Sequence, residues 1–163
     1  MRKILALFLL LGAPAFAQGL EVPFGGLKQD PSLPVEVNAA ELSVDQSDNS
    51  ATFSRGVTVT QGEVKLTADK IRVVYAAAVE GQPAKIAKLE ASGGVTLVSG
   101  AATATAANGE YDINTGNVVL TGGISLVQGP TSVSGDRMSV NLTTGTGRIE
   151  GNVRTVLIPT QQP

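Results

Sequence analysis

Between Ala51 and Ile71 the chain reads ATFSRGVTVTQGEVKLTADKI. Val57 and Val59 stand two apart, as do Val64 and Leu66, and Gln61-Gly62 lies between the pairs. Residues i and i+2 share a face in an extended strand, whereas a helix needs i, i+3, i+4 spacing, so this stretch is two half-buried strands joined by a tight turn. Outward from it the alternation continues through Leu42/Val44, Ile71/Val73/Tyr75, Val95/Leu97, Tyr111/Ile113, Ile124/Leu126 and Met138/Val140/Leu142. Turn residues separate the runs at Asp48-Asn49, Asn114-Thr115-Gly116, Gln128-Gly129-Pro130 and Thr144-Gly145. Ala-rich Tyr75 to Val79 has helical composition, but Gly81 and Pro83 cut it off.

Two phrases recur. One runs Ala39-Ala40-Glu41-Leu42, Ala68-Asp69-Lys70-Ile71, Ala106-Ala107-Asn108-Gly109 and Gly135-Asp136-Arg137-Met138, with starts 29, 38 and 29 residues apart. The other runs Arg55-Gly56-Val57, Gly93-Gly94-Val95, Gly122-Gly123-Ile124 and Gly151-Asn152-Val153, with ends 38, 29 and 29 apart. Both series fit a 29-residue unit with a nine-residue insertion around Ala76 to Lys88. Units that are each half apolar must fold over one another, as a jelly roll or a solenoid-like sandwich. With four Phe in the chain, large rings do not plug the interior, which leaves room for an apolar, elongated guest. The same alternation also serves a closed core.

Composition removes most chemistry. Without Cys or His there is no disulfide, no thiol or imidazole catalysis and no Cys/His metal site. Asp112-x-Asn114-x-Gly116 opens like a calcium loop but lacks the closing Glu, and Asp69 and Asp136 read as strand-end turn residues. Neither metal nor cofactor is expected, no Ser/Lys or paired-carboxylate cluster emerges, and the chain reads as a non-enzyme. Arg2-Lys3, the apolar run Ile4 to Leu11 and Ala15-Phe16-Ala17 form a secretory signal peptide over residues 1–17, too short to span a bilayer. Its removal makes the net charge more negative than the −2 of the whole sequence, which disfavours nucleic acid. Residues 18–34 read as a flexible leader, 35–160 as the folded domain and 161–163 as a tail.

With these phrases in register behind a signal peptide, the chain resembles the OstA-like family of periplasmic lipopolysaccharide-transport bridge proteins. Ala51 to Gly62, Leu66 to Ile71, Val118 to Gly122, Gly135-Asp136 and Arg154 to Pro159 carry the resemblance, which spans about Pro34 to Gln161. It implies an all-β fold, an antiparallel β jelly roll, V-shaped in section and open at both ends, that houses the lipid A part of lipopolysaccharide. It also implies periplasmic localisation, an LptC-like inner-membrane partner, an LptD-like outer-membrane translocon and end-to-end self-association. The family's lipid-facing positions fall on Val35, Val37, Ile86 and Ile113. By period alone Leu42, Phe53, Val57, Leu66, Ile71, Val95, Leu120, Ile124 and Met138 join them as candidate lipid contacts, each also a candidate for plain core packing. Terminal strands with few charges, bearing Val35 and Val37 at one end and Val153, Val156 and Ile158 at the other, are expected to pair with partner strands. Two rival readings fit the same residues: an LptC-like anchored protein that keeps residues 1–17, and a structural β-solenoid without lipid transport.

Overall fold

The computed structural model describes residues 20–23, as backbone, and 32–158. The signal-peptide reading and the 161–163 tail lie outside the described residues. Among the described residues eleven strands form one antiparallel sheet: β1 (Leu20–Pro23), β2 (Glu36–Asn38), β3 (Glu41–Asp45), β4 (Ser50–Gln61), β5 (Val64–Tyr75), β6 (Ile86–Ser99), β7 (Ala102–Asp112), β8 (Asn117–Gln128), β9 (Thr131–Asn141), β10 (Thr146–Glu150) and β11 (Arg154–Leu157). Strands β4 to β9 are a meander in sequence order, and each hairpin joins neighbours. At one end β2 and β3 both pair β4; at the other β10 and β11 both pair β9, with β1 outside β10.

Every long strand bends near its middle. The register slips between Ser54 and Val57 on β4, and again at the corresponding point of each following pair. The slips coincide with the second repeated phrase, whose members have φ of 65° and 75° at Arg55-Gly56, 81° and 74° at Gly93-Gly94, 86° and 82° at Gly122-Gly123, and 74° and 46° at Gly151-Asn152. Two consecutive left-handed residues bulge and redirect a strand without ending it. Aligned across the sheet, they make one crease, and the repeat is thus the spacing of that crease along the chain. The first phrase lies opposite: Asp69 sits under Gly93, Ala107 under Gly122 and Asp136 under Gly151, close enough that a Cβ on any of these glycines would collide. The expectation that Asp69 and Asp136 occupy strand-end turns is therefore corrected. They face the crease in mid-strand, where Asp136 accepts a hydrogen bond from Asn152 Nδ2 at 2.9 Å.

The crease divides the sheet into two leaves. The first contains the β2, Val57–Gln61 and β11 side of the strands; the second contains β3, Ser50–Ser54 and β10. Three two-residue turns, Gly62-Glu63, Gly100-Ala101 and Gly129-Pro130, edge the first leaf with φ of 58°, 54° and 55° at the glycines. Glycine in the first central position is the type II′ pattern that matches strand twist. The second leaf is edged by longer loops, including the expected insertion, closed by Ala76 N donating to Lys85 O at 2.8 Å.

Alternating apolar residues of both leaves meet inside. Ile71, Leu120, Met138 and Ile149 have no exposed surface, and Val57, Val73, Leu89, Val95 and Leu142 retain about one per cent. Part of the 18–34 leader is not loose chain: β1 pairs Leu20 to Ile149 and Pro23 to Thr146. Leu20 and Val22 do stand two apart, but so short a run ahead of Pro23, Gly25 and Gly26 makes no sustained period, and alternation alone did not announce that strand.

Candidate functional site

The candidate site is the space between the leaves. Of the expected lipid contacts, Val57, Leu66, Ile71, Val95, Leu120, Ile124 and Met138 are buried on the inner face, while Val35, Val37, Phe53, Ile86 and Ile113 are half-buried and pack against that cluster. Leu42 departs from them. It is 55% exposed, and its neighbour Val44 64%, because the three-residue β2 gives β3 little opposing layer. At the other end Val153 and Val156 are each 42% exposed and Ile158 63%.

The interior is tighter than an open sleeve. Val59, Leu66 and Leu97 of the first leaf face Leu89, Leu120 and Leu142 of the second around about 20 Å³ of free space. That volume holds about one water molecule. Of the two uses the alternating faces allowed, the closed core is the one this conformation adopts here, because modest Val, Leu and Ala side chains interdigitate once the leaves close. Room of another kind lies at the β3 end, where an open cavity of about 410 Å³ is lined by Val44, Tyr75, Ala76, Ala78 and Ala84, with Asp45, Gln46, Asn49 and Ser50. The inserted loop thus supplies one wall of it.

A polar pair crosses the interior. Tyr111 Oη donates to Gln61 Oε1 at 3.3 Å, although β5 and β6 separate their strands in the sheet. In a flat sheet β4 and β7 would stand about 14 Å apart, so this bond spans from leaf to leaf. Gln61 Nε2 in turn donates to Leu33 O at 2.9 Å. Burial, then the nearby Asp112 charge, push the Tyr111 hydroxyl up, so it stays a donor at neutral pH. Counting apolar alternation missed this pair, since Gln61 reads as a turn residue and Tyr111 as one more apolar position. Leu89 was hidden by the neighbouring insertion, and Ile149 by standing alone between Arg148 and Glu150.

The outer face of the second leaf is charged. Arg72 bonds Asp48 Oδ2 at 2.6 Å and Glu90 Oε2 at 2.9 Å, and Lys88 pairs with Glu110 at 3.1 Å. The Ser50 hydroxyl first, and then Arg72, hold the Asp48 carboxyl below its ordinary 3.8. A carboxyl lowered in the folded state contributes stability above its ordinary value and loses it as pH falls. Asp48→Asn will accordingly differ from wild type in urea midpoint at about pH 6, and the difference will shrink as unfolding is repeated below about pH 3. Asp112, for its part, is a turn residue: its Oδ1 accepts the Thr115 amide at 3.0 Å.

Residues 36–146, from β2 to the start of β10, match the family described as LptA/(LptD N-terminal domain) LPS transport protein. The chain belongs to that family. It is therefore an LptA-like protein, in a family described as one of transport proteins. A curated relative, an uncharacterized protein of Rhizobium meliloti (strain 1021), is 30% identical over 114 residues. That match covers 68% of this chain and 61% of the relative, so the chain spans about three-fifths of the relative's length. Among solved structures, LptH from Pseudomonas aeruginosa, described as the LptA-homologous periplasmic component of the lipopolysaccharide transport device, superposes with a TM-score of 0.70. It is 16% identical, and the match covers 80% of this chain and 99% of LptH, which establishes a common fold.

Proposed function

We propose that this LptA-like protein works in the periplasm, sheltering the acyl chains of lipopolysaccharide between its two leaves and passing them from the inner towards the outer membrane. The observation that carries this reading is the inner face itself, a continuous apolar surface contributed by every strand from β4 to β9 and joined along one crease. Each methylene withheld from water is worth about 0.8 kcal/mol, so an acyl chain of about a dozen carbons resists an aqueous gap by roughly 10 kcal/mol. Apolar leaves offset that cost while sugars and phosphates stay wet. Exposed apolar side chains on β3 and β11 support end-to-end pairing with a second copy, and with LptC-like and LptD-like partners of related fold.

Photo-crosslinking tests it. With benzoylphenylalanine at Ile113 or Val37, purified lipopolysaccharide will form an adduct, and with the label at Thr105, exposed on β7, it will not. An absence of adduct at both inner-face positions would overturn the reading.

A further inference from the structure

The packed interior sets the problem. If acyl chains bind between the leaves, as proposed above, a space of about 20 Å³ requires the leaves to part first. At the crease they are one hydrogen-bonded sheet. At the opposite rims, among the described residues, no backbone hydrogen bond joins one leaf to the other. The Tyr111–Gln61 bond spans the gap, made by two side chains that are 9% and 4% exposed.

The geometry points to a side entrance along these rims, clasped by Gln61 and Tyr111 and hinged on the crease. Three features converge on it. First, the bond links Gln61, last residue of β4 at the first leaf's rim, to Tyr111, one residue from the end of β7 at the second leaf's rim. Second, the inner row of the first rim turns polar where the rows behind it are apolar. Gln61 pairs with Val64, Val64 with Ser99, Ser99 with Ala102 and Ala102 with Gln128, so three of its positions carry amide or hydroxyl groups. Such groups suit a line that meets water when the leaves separate and apolar chains slide past. Third, the clasp is anchored from outside. Gln61 holds the Leu33 carbonyl, and the Leu33 side chain lies over Gly62 so closely that a Cβ there would come within 2.8 Å of it. The chain leading into β2 is thus tied to the same rim. At the far side, the φ-positive pairs of β4, β6 and β8 supply the backbone freedom on which the leaves turn.

Because the sequence has no Cys, paired labels can be introduced cleanly. Spin labels at Glu63→Cys and Asn114→Cys, both exposed and on opposite rims, report the opening; labels at Glu63→Cys and Ala101→Cys, on one rim, are the control. On adding lipopolysaccharide the first distance will lengthen by several ångströms and the second will not change. Tyr111→Phe keeps the ring and removes the donor, so it will populate the longer distance without lipid and take up lipid several-fold faster. If lipopolysaccharide co-elutes with the protein while the first distance stays fixed, the side entrance is wrong and the carrier reading stands. If Tyr111→Phe changes neither distance nor uptake, the clasp assignment is wrong. Lack of co-elution with wild type would instead defeat the carrier reading on which the entrance depends.

Discussion

Gly122→Ala will destabilise the protein by about 2–4 kcal/mol, whereas Gly123→Ala, the next residue along, will cost about 1 kcal/mol. The two glycines have nearly the same backbone, with φ of 86° and 82°, so the left-handed penalty of roughly 1–2 kcal/mol falls on both. Both substitutions also recover a few tenths to about 1 kcal/mol by narrowing the unfolded ensemble. They differ in what a methyl group meets. At Gly122 it lands 2.6 Å from the Ala107 Cβ of β7, while at Gly123 nothing lies within 4 Å. Relief at Gly122 must move β7 against β8 at the crease, an overpacking cost of about 1–3 kcal/mol. Urea midpoints at unchanged m-value measure the difference directly. Equal losses at the two positions would mean that the crease is not closely packed and that φ alone decides its glycines. Gly93, against Asp69, carries the same expectation as Gly122, since a Cβ there approaches Asp69 Cβ to 2.7 Å.

Much of the fold was legible because each level of the sequence pointed the same way. Alternation gave the strands, Gly-containing pairs gave the turns, and two repeated phrases with matching intervals gave the unit. What the phrases do was not legible. Gly93-Gly94 and Gly122-Gly123 look like turns in one dimension, yet strands run on through both, since a turn and a crease use the same left-handed residues and differ in whether partners continue on the other side. The site was half legible for a similar reason. Period 2 tells which side chains face inward, and Val57, Ile71 and Leu120 duly do, but it is silent on how far apart the facing leaves stand. That distance depends on contacts such as Tyr111 with Gln61, 50 residues apart, which no local pattern records. Edge burial was illegible too. Leu42 alternates as well as any core residue and is exposed because of the shortness of β2, a property of another strand.

Deleting residues 153–158 will abolish end-to-end association while leaving the folded core in place. Among the described strands β11 pairs with β9 alone, through Arg154 to Leu157, and contributes nothing to the buried cluster. Its outer edge carries no cover of its own among the described strands, and Leu157 and Ile158 are 69% and 63% exposed. Arg154 is the lone charge of this segment, against the several charges, Pro or bulges that normally keep a sheet edge solitary. At the opposite end Leu42 and Val44 are exposed on β3. Two unlike apolar ends on one molecule make a head-to-tail contact, which repeats into an open row rather than closing as a dimer. Light scattering of the wild type will therefore show mass growing with concentration, and the deletion variant will remain at one mass. Its thermal midpoint will stay close to wild type, because the removed strand buries little. A milder variant, Val156→Lys with Ile158→Lys, keeps the strand and adds charge to its edge, and it will weaken the row at low salt more than at high salt, where the repulsion is screened. If both variants associate as the wild type does, and still capture a strand-donating partner, the β11 edge has no part in docking and the proposed handover of acyl chains needs another route.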